Sequence, residues 1–330
     1  MSLPPNLIRN LIIVVTASAA FYGFWVIYAG PADVWDSIVQ VGWSGWAIIL
    51  GLSLFNYALR FIRWQGYLSS LGYKIPAWRH FKFYLAGFAF TATPGKVGEA
   101  VRSLYLNKYG VRYTDSLAAF FVERLVDVVA MVLLALLAAY AFEQYRWLVI
   151  CVSVFLILLL PLIRSSRFHE LLESLCSKSD SERVRKMSQH LLGLLDSSGK
   201  LLRAKNLYGG LFLGVIAWAA EGLALYVVVL WLGVDIPVAL AVGIYGIAIL
   251  AGALSFVPGG LGGTEVIMGA LLILSGVAEP VAVSAVLICR IATLWFAVAI
   301  GLLCALEIEI GDDGVMKNQK AANTAGRSGG

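Results

Sequence analysis

An all-α, polytopic membrane bundle is the fold class that this sequence predicts, and three observations lead there. Hydrophobic residues make up 60% of the 330 and charged ones only 14%, whereas soluble domains run near a quarter charged. Apolar stretches of roughly 20 residues recur, the length a helix needs to cross about 30 Å of hydrocarbon. They are continuous rather than alternating, which fits helices, whose backbone bonds close internally, and excludes a β-barrel.

The same composition narrows the function classes. A formal charge of +5 is modest, and basic residues near span ends set orientation and meet anionic lipid rather than marking a nucleic-acid binder. Cys151, Cys176, Cys289 and Cys304 show no CxxC spacing, and three lie in apolar runs, so they read as small hydrophobes. His80, His169 and His190 are scattered. No metal site and no cofactor is expected.

Leu7 to Ala29 forms the first span, closed by the Gly30-Pro31 breaker. Hydrophobic and aromatic residues run on well past Ala17-Ser18-Ala19, which argues against a cleaved signal peptide. Pro31 to Val41 holds Asp33 and Asp36 but no base, so it is expected as a loop facing away from the cytoplasm. Trp43 to about Trp64 crosses back, and Lys74, Arg79 and Lys82 mark the cytoplasmic side. Asn56, Arg60 and Arg63 fall at spacings of four and three, on one helical face. Their arginines either snorkel to the interface or collect lipid phosphate at the cytoplasmic mouth. Phe81 to Thr93, roughly 20 Å of helix, is too short to cross. It meets Pro94-Gly95 and is expected to return through Val97 to Asn107 as a re-entrant hairpin; such backbone is tolerated at depth when buried in protein or lining a wet cavity.

Leu117 to Phe142 is the next full span, carrying Glu123, Arg124 and Asp127, and Trp147 to Ile163 returns. Residues 164–206 hold nine Lys or Arg against five acids, giving +4, with apolar residues at helical spacing. They describe a cytoplasmic amphipathic insertion. Leu207 to Leu232 crosses with Glu221, Val238 to Val257 leads to a second Pro-Gly loop, and Thr264 to Leu274 follows it. Ala282 to Leu306, with Arg290, is the last span, and the tail at 311–330 should be disordered. The chain thus reads as one transmembrane bundle over 1–310. It has about six full spans, both termini in the cytoplasm, and two re-entrant Pro-Gly hairpins entering from opposite sides, as in inverted-repeat transporters. Since Val238 to Val257 is long enough to cross, eight or more spans is the alternative.

Charges within this membrane part are the chemistry the sequence offers. Arg60, Arg63, Lys96, Arg102, Arg124 and Arg290 stand against Glu99, Glu123, Asp127, Glu221 and Glu265. A lone charge at the bilayer centre costs about 3 kcal/mol, so all of them unpaired would cost on the order of 30 kcal/mol. They must pair, sit near interfaces or line a hydrated cavity. A purely structural ion-pair network is one reading. The other uses the two loops, Pro94-Gly95-Lys96-Val97-Gly98 and Pro258-Gly259-Gly260-Leu261-Gly262, whose backbone amides suit an anion such as phosphate. Turn geometry alone accounts for Gly95 and Gly259, less readily for Gly98, Gly260, Gly262 and Gly263.

These residues also carry a resemblance. Arg60-Phe-Ile-Arg63-Trp64, Pro94-Gly-Lys-Val-Gly-Glu-Ala-Val-Arg102, Glu123-Arg-Leu-Val-Asp127, Trp218 with Glu221, Pro258-Gly-Gly-Leu-Gly followed by Glu265, and Arg290 with Trp295 run in order across nearly the whole membrane part. In this the chain resembles the lysylphosphatidylglycerol synthase transmembrane-region family of flippase-like proteins. The resemblance implies a multi-pass protein of the prokaryotic cytoplasmic (inner) membrane that moves lipids or lipid-linked headgroups between leaflets. A soluble aminoacyl-transferase domain, present in bifunctional members, is not expected after Leu306, so synthase activity is not carried over.

The resulting expectation is a flippase-like transporter, not an enzyme. Arg60, Arg63, Lys96, Arg102 and Arg290, with the glycines of both loops, take an anionic phospholipid, polyprenyl or glycolipid headgroup. Glu99, Glu123, Arg124, Asp127, Glu221 and Glu265 act as charge relay or structural partners. The alternative is a membrane-embedded enzyme, or an accessory subunit beside a lipid-modifying enzyme or glycosyltransferase in envelope-lipid synthesis. A homodimer is compatible with either.

Overall fold

The computed structural model describes residues 22–27, 30–91, 93–139, 197–255 and 257–310, with isolated helical positions 16, 20, 147, 150, 151 and 154. Most of the expected amphipathic insertion and the whole 311–330 tail lie outside the described residues. Among those described, every regular element is helical.

Helix α1 (Pro31–Ser70) runs for 40 residues and is kinked at Gly42, which sits at φ 63°. The stretch from Pro31 to Val41 expected as a loop is therefore helix. Pro31 occupies the first turn, where its missing N–H costs nothing, and no breaker follows until Gly42. Beyond the kink the helix crosses as expected from Trp43, ending at Ser70.

Helix α2 (Ala77–Gly87) gives way to 3-10 turns at Phe88–Phe90 and Pro94–Val101, then to α3 (Arg102–Asn107). Its eleven residues reach only ~17 Å at 1.5 Å per residue. Helix α4 (Tyr113–Ala139) and α5 (Ala204–Trp231) are full-length, while α6 (Val238–Leu254) stops after 17 residues, ~26 Å. A 3-10 turn at Pro258–Gly260 leads into α7 (Gly263–Leu274), only 12 residues long. Both Pro-Gly segments are thus the bends of short-armed helical hairpins, and the two bends pack against each other. Helix α8 starts at Glu279 and continues to Ile310 through a π-turn at Ile291–Trp295.

Two cores hold the bundle. One joins α1, α4, α5, α6, α7 and α8 through residues such as Ile49, Leu225, Ile244 and Ile288; the other is aromatic, built on Tyr57, Trp64, Tyr84, Phe88 and Phe90 around α2 and its 3-10 turns. Helix contacts in lipid depend on close approach by small residues. At Gly243 of α6 an added Cβ would stand 2.4 Å from the Ala138 backbone nitrogen, so α6 and α4 touch backbone to backbone. The π-turn has its own support: Ser53 Oγ donates to the Ala292 carbonyl and Tyr57 Oη to that of Thr293, both at 2.8 Å. These bonds satisfy carbonyls that the widened turn displaces from the α-helical ladder, a feature frequent at functional sites.

Candidate functional site

Asn56, Arg60 and Arg63 do share one face of α1, and that face points into the protein. All three are buried, so neither arginine snorkels. Asn56 Nδ2 donates to the Ala217 carbonyl of α5 at 2.8 Å, fixing the helix pair at this level. Arg63 Nη2 meets Asp127 Oδ1 at 2.5 Å. Arg102, delivered by the first hairpin's return arm, meets Glu123 Oε2 at 2.6 Å and stacks over the rings of Trp64 (3.9 Å to centroid) and Tyr84. Glu99 lies within 4.0 Å of Arg60, Arg102 and Arg124 and accepts from Thr91 Oγ1. Four arginines and three carboxylates so form one buried cluster of net +1, with Tyr84 donating to Glu123 and Trp218 Nε1 to Asp127. Burial of so many charges is tolerable because each touches an opposite charge or a ring face.

A smaller cluster is built mainly from the other half of the chain, with Tyr22 joining it from the N-terminal stretch. Arg290 Nε meets Glu265 Oε1 at 2.7 Å, its Nη2 donates to the Gly259 carbonyl at 2.7 Å, and Tyr22 Oη donates to the same glutamate oxygen at 2.6 Å. Glu221 is buried in α5 and accepts from Tyr245 of α6.

Between the two clusters is a hollow of about 170 Å³. Thr93 lines it from the first Pro-Gly loop, Gly259, Gly260 and Thr264 from the second hairpin, and Arg124, Asp127, Trp218 and Arg290 from the helices. A second hollow of about 30 Å³ adjoins it, lined by Arg60, Glu221, Tyr245, Thr293 and others. The two share Trp218, Ile249, Arg290 and Leu294. By volume the smaller holds about one water and the larger roughly half a dozen. The charged lining is three arginines against two carboxylates, and Asp127 is already engaged by Arg63. Arg60 and Arg124 each present Nε and Nη2 atoms with no hydrogen-bond partner among the described residues. Arg124 Nη2 lies 3.0 Å from Asp127 Oδ2, yet neither atom completes a hydrogen bond there, so that contact is electrostatic only. Buried donors left open beside a hollow are what an anion would satisfy, although most of the larger hollow's wall is apolar.

The residues singled out from the sequence therefore divide. Arg60, Arg124, Asp127, Glu221 and Arg290 line the hollows with Gly259 and Gly260, whereas Arg63, Arg102, Glu99, Glu123 and Glu265 form the charge network behind the walls. The Lys96 side chain lies outside what is described. Loop glycines have largely structural reasons. Gly259, Gly260 and Gly262 all take positive φ (66°, 68° and 80°), so turn geometry covers more of them than the sequence suggested. The Gly98 amide donates to Thr93 Oγ1 and the Gly260 amide to the Val257 carbonyl, which leaves neither open to a ligand in this arrangement. Backbone is described at Gly95, which falls within the Pro94–Val101 turn.

Sequence reasoning missed Tyr22, Tyr84 and Tyr245, each the hydroxyl partner of a buried glutamate, and Thr264. The available signal was tyrosine within spans rather than in the interfacial belts where it usually gathers.

A sequence model described as the lysylphosphatidylglycerol synthase TM region matches residues 10–301. The chain is similar to a UPF0104 membrane protein of Methanothermobacter thermautotrophicus (strain Delta H), 26% identical over 84% of this chain and 87% of the relative. A second such protein from that organism is 24% identical over 88% and 92%, and a UPF0104 membrane protein of Pyrococcus horikoshii 24% identical over 74% and 82%.

Proposed function

Given that the chain belongs to the lysylphosphatidylglycerol synthase transmembrane-region family, we propose that it moves a phosphate-bearing lipid headgroup across the cytoplasmic membrane through the hollow between its Pro-Gly loops. In this reading both hairpins are re-entrant, one from each side, and the inverted halves meet at mid-depth. Both termini face the cytoplasm. The headgroup travels wet while the hydrocarbon chains stay in lipid, because bare phosphate in hydrocarbon is far too costly. Arg124 and Arg290 hold the phosphate in the larger hollow, and Arg60 takes it in the smaller one. The remaining charges keep those three in place. A lipid-modifying enzyme or glycosyltransferase supplies or consumes the cargo.

The observation that carries this reading is the pairing of open guanidinium donors, on Arg124 and Arg60, with two adjoining hollows lined by both halves of the chain. The test is translocation of labelled lipids by protein reconstituted in vesicles. A charge-assisted hydrogen bond is worth about 1.5–3 kcal/mol. Arg290→Gln should therefore slow an anionic lipid about 10- to 150-fold, while the unfolding midpoint of the Arg290→Gln/Glu265→Gln pair stays near the parent's. Arg124→Gln, which removes open donors from the larger hollow, should slow it likewise, and an Arg124→Gln variant that moves anionic lipid at the parent rate removes the basis for the proposal.

A further inference from the structure

Helix α7 has two faces. Thr264 and Glu265 turn toward the hollow and its arginine, whereas Val266, Ala270 and Ile273, at i, i+4 and i+7, are exposed on the outward side, with buried Gly269 at the base between them. That outward stripe forms one wall of a groove of about 380 Å³, whose other walls are Phe24 and Trp25 from residues 22–27 and Val283 of α8. Its lining is apolar until Glu279, at the start of α8. Glu265, next in sequence to Val266 of the groove, is joined to Tyr22 and to Arg290 of the hollow by bonds of 2.6 and 2.7 Å. The stretch bearing Tyr22 meets the bundle through a satellite cluster on Val34, Val283 and Leu287, separate from the two main cores.

A phosphate anchor on one side of a helix and an apolar trough on the other, one side chain apart, are the complement of an amphiphile. We propose that this groove holds one hydrocarbon chain of the lipid whose phosphate Arg290 takes, with Tyr22 at the passage between chain and headgroup. This inference rests on the headgroup reading above and adds where the lipid's tail lies. An anchored headgroup fixes the start of the chain next to Val266. The groove then gives the methylenes an apolar bed that differs little from the bilayer they leave, so specificity comes from the tether rather than from burial. Gly269 is the point where the trough can be filled. An added Cβ there meets only Val286 Cγ2, at 3.9 Å, so the first carbon of a larger side chain is admitted without striking backbone.

Full-length protein in phosphatidylcholine vesicles is irradiated with either of two probes, a phosphatidic acid carrying a diazirine in one acyl chain or the matching diacylglycerol without phosphate. Labelled positions are mapped by peptide mass spectrometry. The phosphate probe should label Phe24, Trp25 and Ile273 at least five-fold over the lipid-facing controls Ile62 and Leu303, the diacylglycerol should show no such preference, and Gly269→Leu or Ala270→Trp should remove it. Equal labelling by both probes means ordinary bilayer lipid fills the groove and overturns the proposal. So does efficient dimer cross-linking of a Phe24→Cys variant without probe, which would put a second copy there. If the phosphate probe is retained in an Arg290-dependent way but leaves the groove unlabelled, the tail assignment fails and the headgroup reading stands. Retention indifferent to Arg290→Gln takes both down.

Discussion

Neutralising Glu123 separates a scaffold from a binding site. Its carboxylate accepts from Arg102 at 2.6 Å and from Tyr84 at 2.7 Å, and guanidinium nitrogens of Arg124, Arg63 and Arg60 stand 3.3, 3.6 and 3.7 Å away. Glu123→Gln keeps the shape and one acceptor but takes the cluster of four arginines and three carboxylates from +1 to +2. Charges 4 Å apart interact by about 4 kcal/mol at an effective dielectric of 20, and removing one partner of a buried pair costs about 3–5 kcal/mol. The retained amide oxygen returns about 1 kcal/mol. A net loss of about 3 kcal/mol is therefore expected. Adding Arg102→Gln restores the charge balance, so the double variant should lose less than the two single losses combined, by about 2 kcal/mol. Reversible denaturation in mixed micelles of parent, both single variants and the double variant gives the cycle directly. A Glu123→Gln protein within about 1 kcal/mol of the parent, or strictly additive losses, would refute a tightly coupled buried network.

Other outcomes follow from the same geometry. Trp218→Phe keeps a ring over Arg60, now 5.2 Å from the centroid, but removes the indole donor 2.9 Å from Asp127; it should cost about 1–3 kcal/mol of stability, read by the same denaturation. Gly243→Val forces α6 off α4, since even a Cβ would meet Ala138 at 2.4 Å. Overpacking of this kind costs about 1–3 kcal/mol or more, and the thermal midpoint in detergent should fall accordingly. Arg102→Lys loses the flat stacking on Trp64 and Tyr84 while keeping the charge. It should lower stability yet leave anionic-lipid translocation per folded molecule within about two-fold of the parent.

Hydropathy made the long helices legible because burial in lipid leaves little choice: runs near 20 apolar residues must be helix, and the described ends of α5 and α8 lie within a few residues of those expected. The Pro31–Val41 segment was misread because two aspartates and a flanking glycine look like a loop, whereas Pro31 at N1 begins a helix and Gly42 only bends it. Of the candidate site, the list of charges was readable but their assignment was not. Arg63, Arg102 and Arg124 are alike in sequence terms, yet which of them faces the hollow depends on how α1, α3 and α4 are rotated about their axes, a property of packing rather than of composition. Tyrosines within spans could be noticed, but not which glutamate each would meet, for a related reason: Tyr22 and Glu265 are 243 residues apart, and no local pattern couples them. What the repeated Pro-Gly phrase did carry was convergence, since two short-armed hairpins in one bundle can bury their polar bends only against each other or against water. Their contact supplies the first of these, and the hollow beside it leaves room for the second. It follows that a residue sealing this hollow, such as Gly252→Val, whose Cβ would fall 1.9 Å from Thr264 Oγ1, acts on the proposed path without touching any charge. Lipid movement lost in that variant, with the charge clusters intact, would assign the path to the hollow rather than to the ion pairs around it.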